Sequence, residues 1–120
     1  MFRIALVDDS VPVRSALREL LEDEGFEIAG EAGTGTEGIE LIQAESPDAV
    51  VLDLAMPGLD GLRAIPKILE LAPDVKIVVL SLAGRSLQVD ALEAGAHAYF
   101  GKGEPMQHVV VGLRSVLRDG

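Results

Sequence analysis

Short apolar runs alternate with helical patterns along the whole chain. Arg3–Val7, Phe26–Gly30, Ala49–Leu52, Lys76–Leu80 and Ala98–Phe100 read as five strands. The third and fourth contain Ala49-Val50-Val51-Leu52 and Ile77-Val78-Val79-Leu80, apolar without alternation. Strands covered on both faces of a parallel sheet have this pattern. Between the strands lie helical repeats. Val13, Ala16, Leu17, Leu20 and Leu21 recur at three and four, with Arg14, Arg18, Glu19 and Glu22 on the other side. Gly25 suits a left-handed cap after this helix. Thr36–Glu45 is a second helix stopped by Ser46-Pro47, and Gly61–Leu71 a third stopped by Ala72-Pro73. Pro66 lies inside the third and is expected to cost a backbone bond or kink it. Ser86–Ala94 is a short fourth helix ended by Gly95. Met106, Val109, Val110, Leu113 and Leu117 mark the fifth.

Five βα units with right-handed crossovers place helices on both faces of one parallel sheet. The expected fold is a doubly wound α/β domain with strand order 2-1-3-4-5, occupying residues 1–120 as a single unit. The chain has 120 residues, 48% of them hydrophobic, so it can bury a core without a staple. It has no Cys, which excludes disulfide scaffolds, thiol nucleophiles and iron–sulfur clusters. No apolar run reaches the ~18 residues of a membrane span, and Met1–Val7 runs straight into Asp8 and Asp9, unlike a signal peptide. A cytoplasmic protein with no membrane partner is expected. The net charge of -10 argues against direct nucleic-acid binding, because phosphate neutralisation needs clustered Lys and Arg.

In open α/β sheets, sites form beyond the carboxyl ends of the strands. Strand one ends in Asp8 and Asp9, strand three in Asp53, strand four in Ser81 and strand five in Lys102, three residues after Tyr99. In the expected order these ends are neighbours. Three converging carboxylates need compensation. Lys102 supplies one positive charge, and a hard divalent cation such as Mg²⁺ suits the remainder. A carboxylate can act as a nucleophile and form an acyl-phosphate. Singly, each residue has a plain alternative: Asp9 or Ser10 as a helix N-cap, Ser81 as a turn residue, Lys102 as a solvated charge. Their joint placement at four strand ends favours a site.

These residues resemble the receiver domain of two-component response regulators. The resemblance rests on Asp8-Asp9, the run Leu52-Asp53-Leu54-Ala55-Met56-Pro57-Gly58-Leu59-Asp60-Gly61, Ser81, and Ala98-Tyr99-Phe100-Gly101-Lys102. The segments Gly25–Ala32 and Leu113–Gly120 look most like the NarL/FixJ group, whose members usually carry a DNA-binding domain after the receiver. The resemblance implies that Asp53 accepts a phosphoryl group from a sensor histidine kinase or phosphotransfer protein. It implies that Asp9, Asp53 and the Ala55 carbonyl bind Mg²⁺, with Asp8 helping through water. Lys102 would pair with the phosphoryl group, Ser81 would turn to hydrogen-bond it, and Tyr99 would swing inward. Met56, Pro57 and Gly58 would form the loop beside the site. The output surface would be helix four, strand five and helix five, with Leu87, Leu92 and Phe100 as candidate contacts; at least one of the two leucines is expected in the core. The expected activity is a stoichiometric switch rather than a turnover enzyme. DNA would be reached through a C-terminal domain beyond this chain, whose last residues Arg118-Asp119-Gly120 stop where a linker would start. A homodimer is left open.

Some positions depart from the pattern. Leu82 stands where Ala is usual and is expected to crowd phosphoryl access. The segment Leu82–Ser86 looks one residue short, and Gly103 follows Lys102 where Pro is frequent. A degenerate receiver acting as an interaction module is therefore the alternative reading. Gly33-Thr34-Gly35-Thr36-Glu37-Gly38 is a literal G-x-G-x-x-G, and Asp53 lies 20 positions after Gly33. Glu31 and Glu37 would repel a pyrophosphate there, and the run leaves the strand-end residues unexplained, so a loop with turn glycines is the plainer reading. A phosphatase with an Asp nucleophile usually has a second Asp two positions on; here that position is Ala55. His97 and His108 have no ligand spacing.

Overall fold

Each strand is followed by a helix that carries the chain back to the same edge, so consecutive strands can only pair in parallel. The computed structural model describes residues 1–56 and 61–118. Its strands are β1 (Arg3–Val7), β2 (Glu27–Ala32), β3 (Ala49–Leu52), β4 (Lys76–Ser81) and β5 (Ala98–Gly101). Its helices are α1 (Val11–Asp23), α2 (Gly35–Glu45), α3 (Gly61–Leu71), α4 (Gln88–Ala94) and α5 (Gln107–Leu117). The sheet order is β2-β1-β3-β4-β5, with every neighbouring pair parallel, as the pattern predicts. Pro57 and Gly58 of the site loop, and Asp119 and Gly120, lie outside the described residues.

Successive strand residues face opposite ways. Val50, Leu52, Ile77 and Val79 pack with α2, α3 and α4 through Ile42, Ile65 and Ala91. Ala49, Val51, Val78 and Leu80 pack with α1 and α5 through Leu17, Leu21 and Leu113. The unbroken apolar runs of β3 and β4 thus fill two cores at once. Each large aliphatic side chain buried this way contributes about 1.5–3 kcal/mol.

Element ends follow local chemistry. The Ser10 hydroxyl caps α1 by accepting from Val13 N at 3.3 Å. Gly25, at φ +92°, lets the chain leave α1, as expected. Thr34 caps α2, one position earlier than the predicted start allows. Ser46 ends α2 in the left-handed region at φ 46°, because Pro47 disfavours a further helical residue. Helix α3 continues through Pro66, whose missing N–H leaves the Leu62 carbonyl without its helical donor. Helix α4 starts at Gln88, two residues later than predicted. Ser86 donates its hydroxyl back to the Ala83 carbonyl at 2.9 Å and so closes the preceding turn instead of capping a helix.

Candidate functional site

The site is built on residues that extend the sheet ladder by one rung. Asp8 N donates to Ala32 O, the last residue of β2, at 3.0 Å. Asp53 N donates to Val7 O, the last of β1, at 2.9 Å, and Lys102 N donates to Ser81 O, the last of β4, at 2.9 Å. Each side chain is therefore fixed by backbone pairing to its neighbour.

Carboxylate oxygens of Asp8, Asp9 and Asp53 lie within 4.8 Å of one another. Asp8 and Asp53 are buried and Asp9 is exposed. The two buried carboxylates use their oxygens alike. Asp8 Oδ1 accepts from Ser10 N at 2.9 Å and Asp53 Oδ1 from Ala55 N at 2.9 Å. Asp8 Oδ2 lies 3.0 Å and Asp53 Oδ2 3.3 Å from Lys102 Nζ. Burial pushes the Asp53 carboxyl up; the Ala55 N–H lowers it, the Asp8 charge raises it again and Lys102 lowers it, leaving a net rise. Burial works against the Lys102 charge, but hydrogen bonds and charges from Asp8 and Asp53 outweigh it and hold the ammonium above its usual value. Three carboxylates thus share the site with one ammonium, which contacts two of them. All donors are oxygens, negative charge is in excess, and the Asp9 side is open. This set fits a hard divalent cation that keeps water ligands. Ala55 is exposed and held beside the carboxylates by its amide.

Ser81 is the last residue of β4 and is buried; its Oγ accepts from Ala83 N at 3.1 Å. Tyr99 is also buried, packed in the α3–α4 core, and its hydroxyl has no hydrogen-bond partner among the described residues. Its side chain already occupies an inward position. Leu82 is 77% exposed and packs in neither core. Of the two leucines on the expected output surface, Leu87 packs against the core and Leu92 is exposed. Phe100 lies under α5, where a Cβ on Gly112 would come within 2.5 Å of its ring.

The glycine run has packing reasons. Thr34 accepts from Glu37 N at 3.1 Å to start α2, and a Cβ on Gly38 would come within 2.7 Å of Val7 Cγ1. Small residues there let α2 sit on β1. His97 precedes β5 rather than lying on it; its Nδ1 accepts from Ile77 N at 3.0 Å, and burial lowers its pKa, helped by the Lys76 charge. His108 Nδ1 lies 3.3 Å from Glu104 Oε1.

Two groups escaped the sequence reading. Arg14, read as an outer-face charge, is largely covered: it donates to the Asp8 carbonyl and pairs with Glu31 at 2.9 Å, which Arg18 also binds at 2.7 Å. Burial raises the Glu31 pKa, but hydrogen bonds from Arg18 and Arg14 hold it below the usual range. Arg85 and Glu104 join the loops after β4 and β5 at 2.6 Å. The Gly101 amide and Arg85 hold the Glu104 carboxyl down at about 2. Neither pair has a spacing signature, since its partners are 17 and 19 residues apart.

Comparison with known proteins agrees with this geometry. The response regulator receiver domain family matches residues 4–114. The response regulator UvrY of Escherichia coli O6:H1 is 39% identical over 118 residues, covering 97% of this chain and 54% of UvrY. The chain thus spans about half the length of that relative. A crystal structure of a LuxR-family two-component response regulator from Aurantimonas sp. SI85-9A1 superposes with a TM-score of 0.91 at 31% identity, over 99% of this chain and 86% of the other. The CheX–CheY–BeF3–Mg complex from Borrelia burgdorferi matches with a TM-score of 0.88 at 30% identity, over 96% of this chain and 88% of the other. The strand-end carboxylates, the lysine beside them, the sheet order and the family match together show that this chain belongs to the response regulator receiver domains of two-component systems.

Proposed function

We propose that this receiver takes a phosphoryl group onto Asp53 from a phosphohistidine on a sensor histidine kinase or phosphotransfer protein. Asp8, Asp9, Asp53 and the Ala55 carbonyl would hold Mg²⁺. The observation that carries the reading is the convergence of three carboxylates within 4.8 Å of one another, with Lys102 on two of them. In the transfer an Asp53 oxygen attacks phosphorus. The new P–O bond forms as the P–N bond to imidazole breaks, and imidazole keeps the electron pair. Bound Mg²⁺ supplies positive charge to the phosphoryl oxygens and the carboxylates. Lys102 exchanges its Asp53 contact for a phosphoryl oxygen, and the Ser81 hydroxyl donates to another.

Phosphorylation brings a charge of about -1.5 to -2. It shifts a two-state surface only if one state binds it better, and inverting a 99:1 ratio takes about 5.5 kcal/mol. Ser81 is the group proposed to carry that difference to α4, β5 and α5; Tyr99, which is already inward, has no inward swing left to contribute. Ala55 stands two residues after Asp53, so no side-chain acid or base there speeds hydrolysis. The reading is a stoichiometric, slowly resetting switch. Resemblance to the NarL/FixJ group supports a DNA-binding output domain in the longer protein, and a cytoplasmic site of action goes with a kinase partner. Among the described residues no helix is long and apolar enough to cross a membrane.

Intact-mass spectrometry after incubation with Mg²⁺ and acetyl phosphate tests the reading. One added phosphoryl group is expected, absent from Asp53→Asn and from a chelated sample. No adduct on folded protein, together with no uptake of beryllofluoride as a stable phosphoryl mimic, would replace this reading with a phosphorylation-independent interaction module.

A further inference from the structure

The ends of β4 and β5 each bring one polar group to the site: Ser81 is the last residue of β4, and Lys102 lies in the loop after β5. A pair outside every motif joins them. Arg85 Nη1 donates to the Tyr99 carbonyl at 2.8 Å and Nη2 to Glu104 Oε1 at 2.6 Å. The guanidinium carbon lies 5.6 Å from the centroid of the Phe100 ring. Glu104 Oε2 in turn accepts from Gly101 N at 2.7 Å, while Glu104 N donates to Gly101 O at 3.0 Å. One carboxylate thus closes the turn from Gly101 to Glu104, with Lys102 inside it. Through Arg85 the same carboxylate holds the stretch after Ser81 against β5. The backbones meet closely here: a Cβ on Gly101 would lie 3.1 Å from Gly84 Cα. At the other end of the stretch, Ser81 Oγ is tied to Ala83 N, two residues before Arg85.

We infer that Arg85 and Glu104 are positioning residues whose pairing makes the Ser81 loop and the Lys102 loop one unit, so that hydroxyl and ammonium reach a phosphoryl group on Asp53 together. The inference rests on the phosphoryl-acceptor reading above. A role in stability alone does not account for the arrangement, since partly exposed ion pairs stabilise a fold little. Here one fork-shaped cation makes three directed contacts, to the carbonyl before Phe100, to the Phe100 ring and to the carboxylate that closes the Lys102 turn. A planar guanidinium has the geometry for this and an ammonium does not.

The test is a titration of the full chain with beryllofluoride in saturating Mg²⁺, on wild type, Arg85→Ala, Glu104→Gln, the double variant and Arg85→Lys. Each single variant is expected to bind beryllofluoride about fivefold more weakly, and the double variant no more weakly than either single, because both remove the same link. Mg²⁺ affinity is expected within about twofold of wild type, since the carboxylates are untouched, and Arg85→Lys is expected to restore little. Both residues are partly exposed, and Glu104→Gln keeps the side-chain shape, so this variant carries the test if Arg85→Ala does not fold. Unchanged beryllofluoride affinity in both single variants overturns the inference. So do losses that multiply in the double variant, or an equal loss of Mg²⁺ affinity. Wild-type protein that binds Mg²⁺ but takes up no beryllofluoride is a different result: it overturns the phosphoryl-acceptor reading, and this inference with it.

Discussion

At the amino-terminal edge of the sheet Arg3 bridges Glu27 at 2.8 Å and Glu45 at 2.9 Å; at the carboxyl-terminal edge Lys102 bridges Asp8 at 3.0 Å and Asp53 at 3.3 Å. The two arrangements have the same stoichiometry, one cation on two carboxylates, with a further acid nearby in Asp48 and Asp9. They differ in water. The side chains of Arg3, Glu27 and Glu45 are 35–52% exposed, and those of Lys102, Asp8 and Asp53 are 10%, 4% and 2% exposed. Around Arg3 solvent screens every charge, so excess acid costs little. Around Lys102 the excess acid is shielded by little else than the protein, so the site favours whatever brings further positive charge. Burial, more than the choice of residues, separates a surface ion pair from a candidate metal centre.

Removing the buried cation should break the comparison most strongly. Lys102→Met leaves Asp8 and Asp53 uncompensated and should cost about 2–3 kcal/mol at neutral pH without divalent cations, somewhat less than for a fully enclosed pair. Urea denaturation measures this, and an unchanged midpoint would show that Lys102 is not the compensating charge. Added Mg²⁺ should act in the opposite direction. At ten times its dissociation constant it should stabilise the wild type by about 1.4 kcal/mol. In Asp9→Asn the same Mg²⁺ concentration should give a smaller shift in Tm, and an equal one would remove Asp9 from the metal site.

Asp53→Asn should raise Tm by about 3 °C in a Mg²⁺-free buffer at pH 7. The sign follows from the raised Asp53 carboxyl. The folded state holds that proton more tightly than the unfolded chain, so ionisation of Asp53 costs stability. The cost is absent below the ordinary aspartate value of 3.8 and complete above the raised folded value, so the advantage of the variant should vanish at acid pH. A variant less stable than wild type at pH 7 would mean that contacts to Asp53, rather than its charge, dominate. The smallest effect belongs to the exposed edge. Arg3→Ala should move Tm by about 2 °C or less, and by less still in ~1 M salt. A larger, salt-resistant loss would make the two edges alike after all.

Much of this is legible in the amino-acid sequence. The unbroken runs of β3 and β4 announce a sheet covered on both faces, and the punctuation by Gly25 and Pro47 marks where α1 and α2 stop. Given a parallel sheet, Asp8, Asp9, Asp53 and Lys102 fall at strand ends that become neighbours. Misplaced details share a local cause. Ser86 looks like the start of a helix until its hydroxyl is seen closing the previous turn. Arg14 looks solvated until its guanidinium is found on the Asp8 carbonyl.

The sequence by itself determined the alternation of strand and helix, the faces each would bury and the set of polar groups delivered to one edge, because these depend on periodicity and on residues a few positions apart. Only the tertiary structure decided that Asp8 and Asp53 are enclosed while Asp9 meets water, that Tyr99 lies inward, and that Glu31 and Glu104 find Arg14 and Arg85. Those outcomes depend on which distant segments share a space once the loops have closed. An acidic side chain carries no local mark of the cation, or of the water, that it will meet there.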